Sequence, residues 1–207
     1  MARSPFVIAV SGTSGSGKTT LVRGLASTLA DVGRRVVCLH FDHYSAVSDV
    51  PEDLSSWVKR GADPDEWRTE QFLDDLLEHV RSDSDPQVTV LLVEEPFGRA
   101  RTPIRAIVDL ALHIHLPLGV SLGRRLLRDF VPDLIGSTPG GLDRLRVYLH
   151  RYIEGGGAAY EAIDEMARRT SDVVLDGRAD PHELVERAMH EVELRLAHWD
   201  RSPPATR

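Results

Sequence analysis

Residues Gly12-Thr13-Ser14-Gly15-Ser16-Gly17-Lys18-Thr19 carry the spacing G-x-x-x-x-G-K-[ST], with Thr20 directly behind. Each residue type has a physical job in holding a polyphosphate. Glycines let the backbone turn tightly and aim several N–H groups at one anion. A helix opening at the end of the loop adds the positive end of its dipole. Lys18 can reach the β- and γ-phosphates, and the Thr19 hydroxyl can ligate Mg²⁺. The candidate phosphate cradle therefore runs from Gly12 through Thr13, Ser14, Gly15, Ser16, Gly17, Lys18 and Thr19 to Thr20, with ATP and Mg²⁺ as the expected cofactors.

Further residues of suitable chemistry stand where apolar runs end. Asp42 follows the run 35–41 and is placed to face a γ-phosphate and take a proton from an acceptor hydroxyl. Glu94 and Glu95 follow the run 88–93. Strand alternation turns only one of them toward the loop, and the first, Glu94, is the expected metal partner beside Thr19. Arg124 and Arg128 are four apart on a predicted helix and share a face. Arg128 is the candidate to close over the transferring group, against the alternative of an ion pair with Asp129 or Asp133. Arg99, with Arg101 and Arg105, is a weaker candidate for an anionic group on the acceptor. Tyr44, Trp57 and Trp67 are candidates to line the acceptor pocket; ordinary packing under a long loop is the alternative for both tryptophans.

These residues need a frame that brings strand ends together. The runs 6–10, 35–41, 88–93, 110–116 and 172–176 read as buried strands, and helical spacing fills 20–29, 69–82, 120–130, 142–169 and 181–199. A short helix is expected near 54–60, a break at 83–86, a loop over 131–141, and a kink at Gly155-Gly156-Gly157. Alternating strands and helices define an α/β fold: a P-loop NTPase three-layer sandwich of about five parallel strands flanked by helices, with a helical lid. Ligands of such sheets bind at the carboxyl ends of the strands, where the glycine-rich loop, Asp42 and Glu94 all fall. Residues 1–200 are read as a single domain with a lid at about 123–150, and 201–207 as a frayed tail.

Composition narrows the function further. The 207 residues carry a net charge of −7, which speaks against a nucleic-acid coat. Lys18 and Lys59 are the only lysines, so the loop lysine stands out against an arginine-rich background. A single cysteine, Cys38, forbids an intrachain disulfide and fits a reducing, cytoplasmic setting. No apolar stretch reaches membrane-spanning length, and the first strand begins too early for a secretory leader to be expected. No asparagine is present, so an N-K-x-D guanine-reading motif is impossible and a regulatory GTPase is disfavoured; Asp133-Leu134-Ile135-Gly136 only mimics a D-x-x-G switch. His113 and His115 share a face of one strand, but with no third or fourth metal ligand in view they read as a core histidine pair.

The order of these motifs resembles the uridine kinase and phosphoribulokinase-like group of P-loop kinases. The resemblance rests on the loop 12–20, on Phe41-Asp42-His43-Tyr44, on the segment 57–77 with Pro64-Asp65-Glu66-Trp67, on Leu122-Gly123-Arg124-Arg125-Leu126-Leu127-Arg128-Asp129, which is similar to an R-x-x-R-D lid signature, and on 171–176 as the terminal strand. It implies that Asp42 is the general base, that 57–77 lines the acceptor pocket, and that the chain phosphorylates a hydroxyl of a small metabolite with ATP, a nucleoside first. Related kinases often self-associate, so a homo-oligomer is a further expectation. The chain departs from the group in Glu94-Glu95-Pro96, where Glu-Gly is usual, and in Phe130-Val131-Pro132-Asp133 after the lid signature. A nucleoside monophosphate kinase, a pantothenate-type kinase and a non-catalytic ATP-binding regulatory protein remain as alternatives.

Overall fold

Along the strand Phe6–Gly12 (β1), Phe6, Ile8 and Val10 point to one face and Val7 and Ala9 to the other, and all five are buried. A strand with two apolar faces must be covered on both, as in a parallel sheet with helices above and below. The computed structural model, which describes residues 4–47, 49–81, 89–136 and 139–202, shows this arrangement. Four further strands, β2 (Val36–His40), β3 (Val90–Glu94), β4 (Leu110–His115) and β5 (Val173–Asp176), join β1 in the order β2-β3-β1-β4-β5, all parallel. The chain forms the α/β P-loop fold, with β1 at the centre of the sheet.

One face is covered by α1 (Lys18–Asp31) and α9 (Pro181–Arg201), whose Leu21, Leu25, Leu29, Leu184, Val192 and Leu196 pack on Ile8, Val10 and Leu92. The other is covered by α3 (Glu70–Val80) through Phe72, Leu76 and Val80 against Val7, Leu91 and Val93. Between β2 and α3 lie a 3₁₀ turn over Phe41–Val47 and the short helix α2 (Leu54–Lys59). A one-turn helix, α4 (Thr102–Arg105), links β3 to β4.

After β4 come α5 (Leu118–Asp129), α6 (Val131–Ile135), α7 (Gly141–Arg151) and α8 (Gly157–Thr170), with a π-helical turn over Tyr152–Gly156 that kinks at Gly155. α6 corrects the expectation of a loop over 131–141. Pro132 sits in the first turn, where its missing N–H costs nothing, and Gly136 ends the helix with its N–H bonded to Pro132 O. Asp42 is likewise not at the tip of an extended strand: β2 stops at His40 and Asp42 sits in the 3₁₀ turn. The expected break at 83–86 lies outside the described residues. Among the described residues no helix is long and apolar enough to cross a membrane.

Burial of an isoleucine-sized side chain stabilises by about 1.5–3 kcal/mol, and a cavity adds to the cost of deleting it. Ile8→Ala, in the central strand, is expected to lower the unfolding free energy by about 2–5 kcal/mol in a urea titration with little change in slope. Val174→Ala, half exposed on the edge strand β5, should change it by less than about 1 kcal/mol. Similar losses at the two positions would refute the central placement of β1.

Candidate active site

The carboxyl ends of β1, β2 and β3 meet where the glycine-rich loop turns into α1. The loop's shape depends on its glycines. Gly12 has φ 147° and Gly15 φ 88°. A Cβ on Gly12 would lie 2.6 Å from Ser16 Oγ and 2.7 Å from Ile114 O, and one on Gly15 would lie 2.9 Å from Ser121 O. No side chain fits at either position. α5 braces the loop from outside: Thr13 Oγ1 donates to Ser121 Oγ (3.1 Å), which donates to Ser14 O (2.6 Å). Ser16 Oγ is buried inside the turn with no hydrogen-bond partner among the described residues, a polar atom left for a ligand or water to satisfy.

Glu94, at the end of β3, is 4% exposed and holds the centre. Thr19 Oγ1 donates to its carboxylate, at 2.9 Å to Oε1 and 3.1 Å to Oε2. His40 Nδ1 lies 2.6 Å from Oε2, and because a carboxylate only accepts, the imidazole donates. Lys18 Nζ is 4.0 Å from Oε1 and donates to Thr13 O at 3.4 Å. Burial pulls the pKa of Lys18 below its ordinary value, while the charges of Glu94 and Asp42 oppose the shift. The carboxylate and hydroxyl side by side are hard oxygen donors of the kind magnesium takes, and they fit that ion.

An open cleft of about 350 Å³ joins these groups: residues 14–20 of the loop, Asp42, Glu94, Arg124 and Arg128 line it, and its far wall is Gly177, Ala179, Pro181 and Leu184. Arg128 borders the cleft and also forks onto Asp129, at 2.6 and 2.9 Å, the ion pair weighed as its alternative. The wall from β5 to α9 and the partner His40 were missed by sequence reasoning. The visible signals were Gly177 after a strand, Pro181 opening a helix, and a histidine two residues before Asp42.

Three candidate residues lie elsewhere. Arg99 donates to Val108 O (3.1 Å) and Asp109 O (2.8 Å) and pairs with Asp172 (2.9 Å), which fixes it at the amino ends of β4 and β5 and away from the cleft. This corrects its expected contact with the acceptor. The Tyr44 hydroxyl donates to Asp75 (2.6 Å) and its ring packs edge-on against Phe72, so Tyr44 props α3. Trp67 is wedged between Trp57 and Phe97, ring centroids 5.8 and 5.2 Å away, in a satellite core joining α2 and α8.

Glu95 and Arg101 form a buried pair behind the site at 3.5 Å, and Arg101 also donates to Thr69 Oγ1 at 2.6 Å. Arg125 is buried with its guanidinium 4.1 Å from the Tyr160 ring centroid and near Tyr148 and Tyr152, with no hydrogen-bond partner among the described residues. The cation–π contacts are its compensation for leaving water.

These features define a P-loop kinase. A sequence-family model described as an AAA domain matches residues 8–129. The chain is 38% identical over 196 residues to a uridine kinase of Leuconostoc citreum, covering 84% of this chain and 89% of the relative. It is 26% identical over 204 residues to a uridine kinase of Ligilactobacillus salivarius, covering 82% and 94%. A solved sugar kinase from a Janibacter species superposes with a TM-score of 0.54 at 23% identity, over 91% of this chain and 95% of that one. The chain belongs to the uridine kinase-like family of P-loop kinases and is an ATP-binding phosphotransferase for small molecules.

Glu95 supplies a stability test. Burial pushes its carboxyl from an ordinary 4.5 up to about 7, with Arg101 pulling the other way. Between these values the folded chain binds more protons than the unfolded chain, so this group's contribution to stability falls as pH rises from about 4.5 through about 7. Glu95→Gln removes this loss. The melting-temperature gap between Glu95→Gln and wild type should shift in favour of the variant from pH 5 to pH 8; a gap independent of pH would contradict the raised pKa.

Proposed function

We propose that this chain transfers the γ-phosphoryl group of ATP to a hydroxyl of a small neutral metabolite, a nucleoside such as uridine first. The observation that carries the proposal is the convergence of Lys18, Thr19, Glu94, Asp42 and Arg128 on one cleft. The two curated relatives named uridine kinase support the choice of nucleoside.

In this reading the loop amides and Lys18 hold the β- and γ-phosphates, with the adenine toward Ala179, Pro181 and Leu184. Thr19 Oγ1 and the Glu94 carboxylate would hold Mg²⁺, whose charge offsets that of the transferring phosphates. His40 fixes the carboxylate's orientation by donating to one oxygen. Asp42 accepts the proton of the attacking hydroxyl, and its exposed place in the 3₁₀ turn leaves it free to meet an acceptor. Arg128 sits on α5, and movement of α5 to α7 as a lid would bring it over the migrating group and exclude water.

A nucleoside monophosphate acceptor needs arginines free to bind its phosphate. Arg99 and Arg101 were the candidates, and their present bonds to backbone and to Asp172, Thr69 and Glu95 favour a neutral acceptor.

The test is acceptor-dependent ADP release across nucleosides, nucleoside monophosphates, pantothenate and sugar alcohols. Turnover should be greatest with a nucleoside. Asp42→Asn should lower kcat by about 10²–10⁴-fold while the ATP dissociation constant stays within a few-fold. Unchanged turnover in Asp42→Asn would remove it as the base, and acceptor-independent hydrolysis alone would favour a regulatory ATPase.

A further inference from the structure

His113 and His115 stand two apart on β4 and therefore share a face. That face is covered by α8, which brings Asp164 against both rings. His113 Nε2 lies 3.1 Å from Asp164 Oδ1, and His115 Nδ1 lies 3.0 Å from Oδ2. The three ligand atoms fall within 4.8 Å of one another. We propose that His113, His115 and Asp164 bind a single transition-metal dication, zinc foremost, at a site separate from the nucleotide cleft.

The geometry is close to what such an ion requires. Bonds of about 2.0–2.2 Å in a tetrahedron place neighbouring donor atoms about 3.3 Å apart, close to the two histidine–aspartate spacings, so an ion enters with small shifts of side chains already gathered. Two imidazoles and one carboxylate suit zinc, cobalt or nickel and do not suit magnesium, so the site would not compete for the ion at Thr19 and Glu94.

The next layer of contacts points the same way. Ser11 Oγ donates to Leu112 O at 3.2 Å and lies 3.1 Å from His113 Nδ1. In the tautomer whose Nδ1–H donates to Ser11 Oγ, the Nε2 lone pair faces the Asp164 carboxylate. The gap between Nε2 and the carboxylate is bridged either by an Nε2–H, when Ser11 Oγ donates to Nδ1, or by a metal ion. A metal-bound histidine ordinarily spends its other N–H on such a partner.

Access and a further ligand are also present. His113 is fully buried, whereas the His115 side chain is 49% exposed and opens into a surface hollow shared with Asp164 and Glu161. Glu161 is one turn before Asp164 on the same helix face and can supply a fourth oxygen, directly or through water. An ion here would pin α8 to β4 and, through Ser11, to the strand that carries the glycine-rich loop.

The test uses the tag-free chain in excess Mg²⁺, titrated with Co²⁺ and followed by visible absorption, then by Zn²⁺ displacement. The expected result is one Co²⁺ per chain with the d–d bands of a four- or five-coordinate ion, bleached by stoichiometric Zn²⁺. His115→Ala and Asp164→Asn should each weaken binding by about 10–100-fold or more. Zn²⁺ should raise the melting temperature of the wild type and leave that of His115→Ala unchanged. No stoichiometric binding by the wild type would overturn the proposal and leave a proton-held histidine–aspartate clamp. Undiminished binding in both variants would overturn it too, placing the ion elsewhere, with His40 and Glu94 the next place to look.

Discussion

The buried carboxylate of Glu94 is the contact on which the site is assembled. A carboxylate taken out of water is costly unless hydrogen bonds and opposite charge replace its hydration. Thr19 from the start of α1, His40 from the end of β2 and Lys18 from the loop supply them. Because Glu94 ends β3, this one group ties two neighbouring strand ends to the glycine-rich loop. The charge of Glu94 also opposes the downward pull of burial on Lys18, so the two groups support each other beside the loop.

Around that centre the remaining polar burial falls into separate compensated sets. Glu95, one residue on, faces away and pairs with Arg101, as alternation along a strand requires. Arg125, next to the cleft-lining Arg124, points the other way into three tyrosine rings from α7, the π turn and α8. The helix α5 thus presents arginines on two sides, one toward the cleft and one anchoring the segment behind it. Ser121 on the same helix braces the loop through Thr13 and Ser14. A movement of α5 would therefore be felt at the phosphate cradle itself.

Some of this was legible from residue types alone, because the interactions are local. The loop is eight consecutive residues followed by a helix, and its glycines and lysine are needed whatever surrounds them. The strands were visible because a sheet covered on both faces demands unbroken apolar runs. The α6 helix was not, since Pro132 and Gly136 are read as breakers until their places at the first turn and the end are known. Arg99, Tyr44 and Trp67 had the right chemistry for an acceptor pocket, but their partners Asp172, Asp75 and Trp57 are set by packing between elements distant in sequence.

The chain by itself determined the phosphate cradle, the parallel α/β sheet and the placing of Glu94 at a strand end, because each follows from short-range periodicity or from a contiguous motif. Tertiary structure alone decided that His40 completes the knot, that the β5–α9 turn forms the far wall of the cleft, and that Asp164 joins His113 and His115. Those choices depend on the crossing of elements in space. Sequence spacing gives the direction of a side chain along its own strand or helix, but not which residue of another element it will meet.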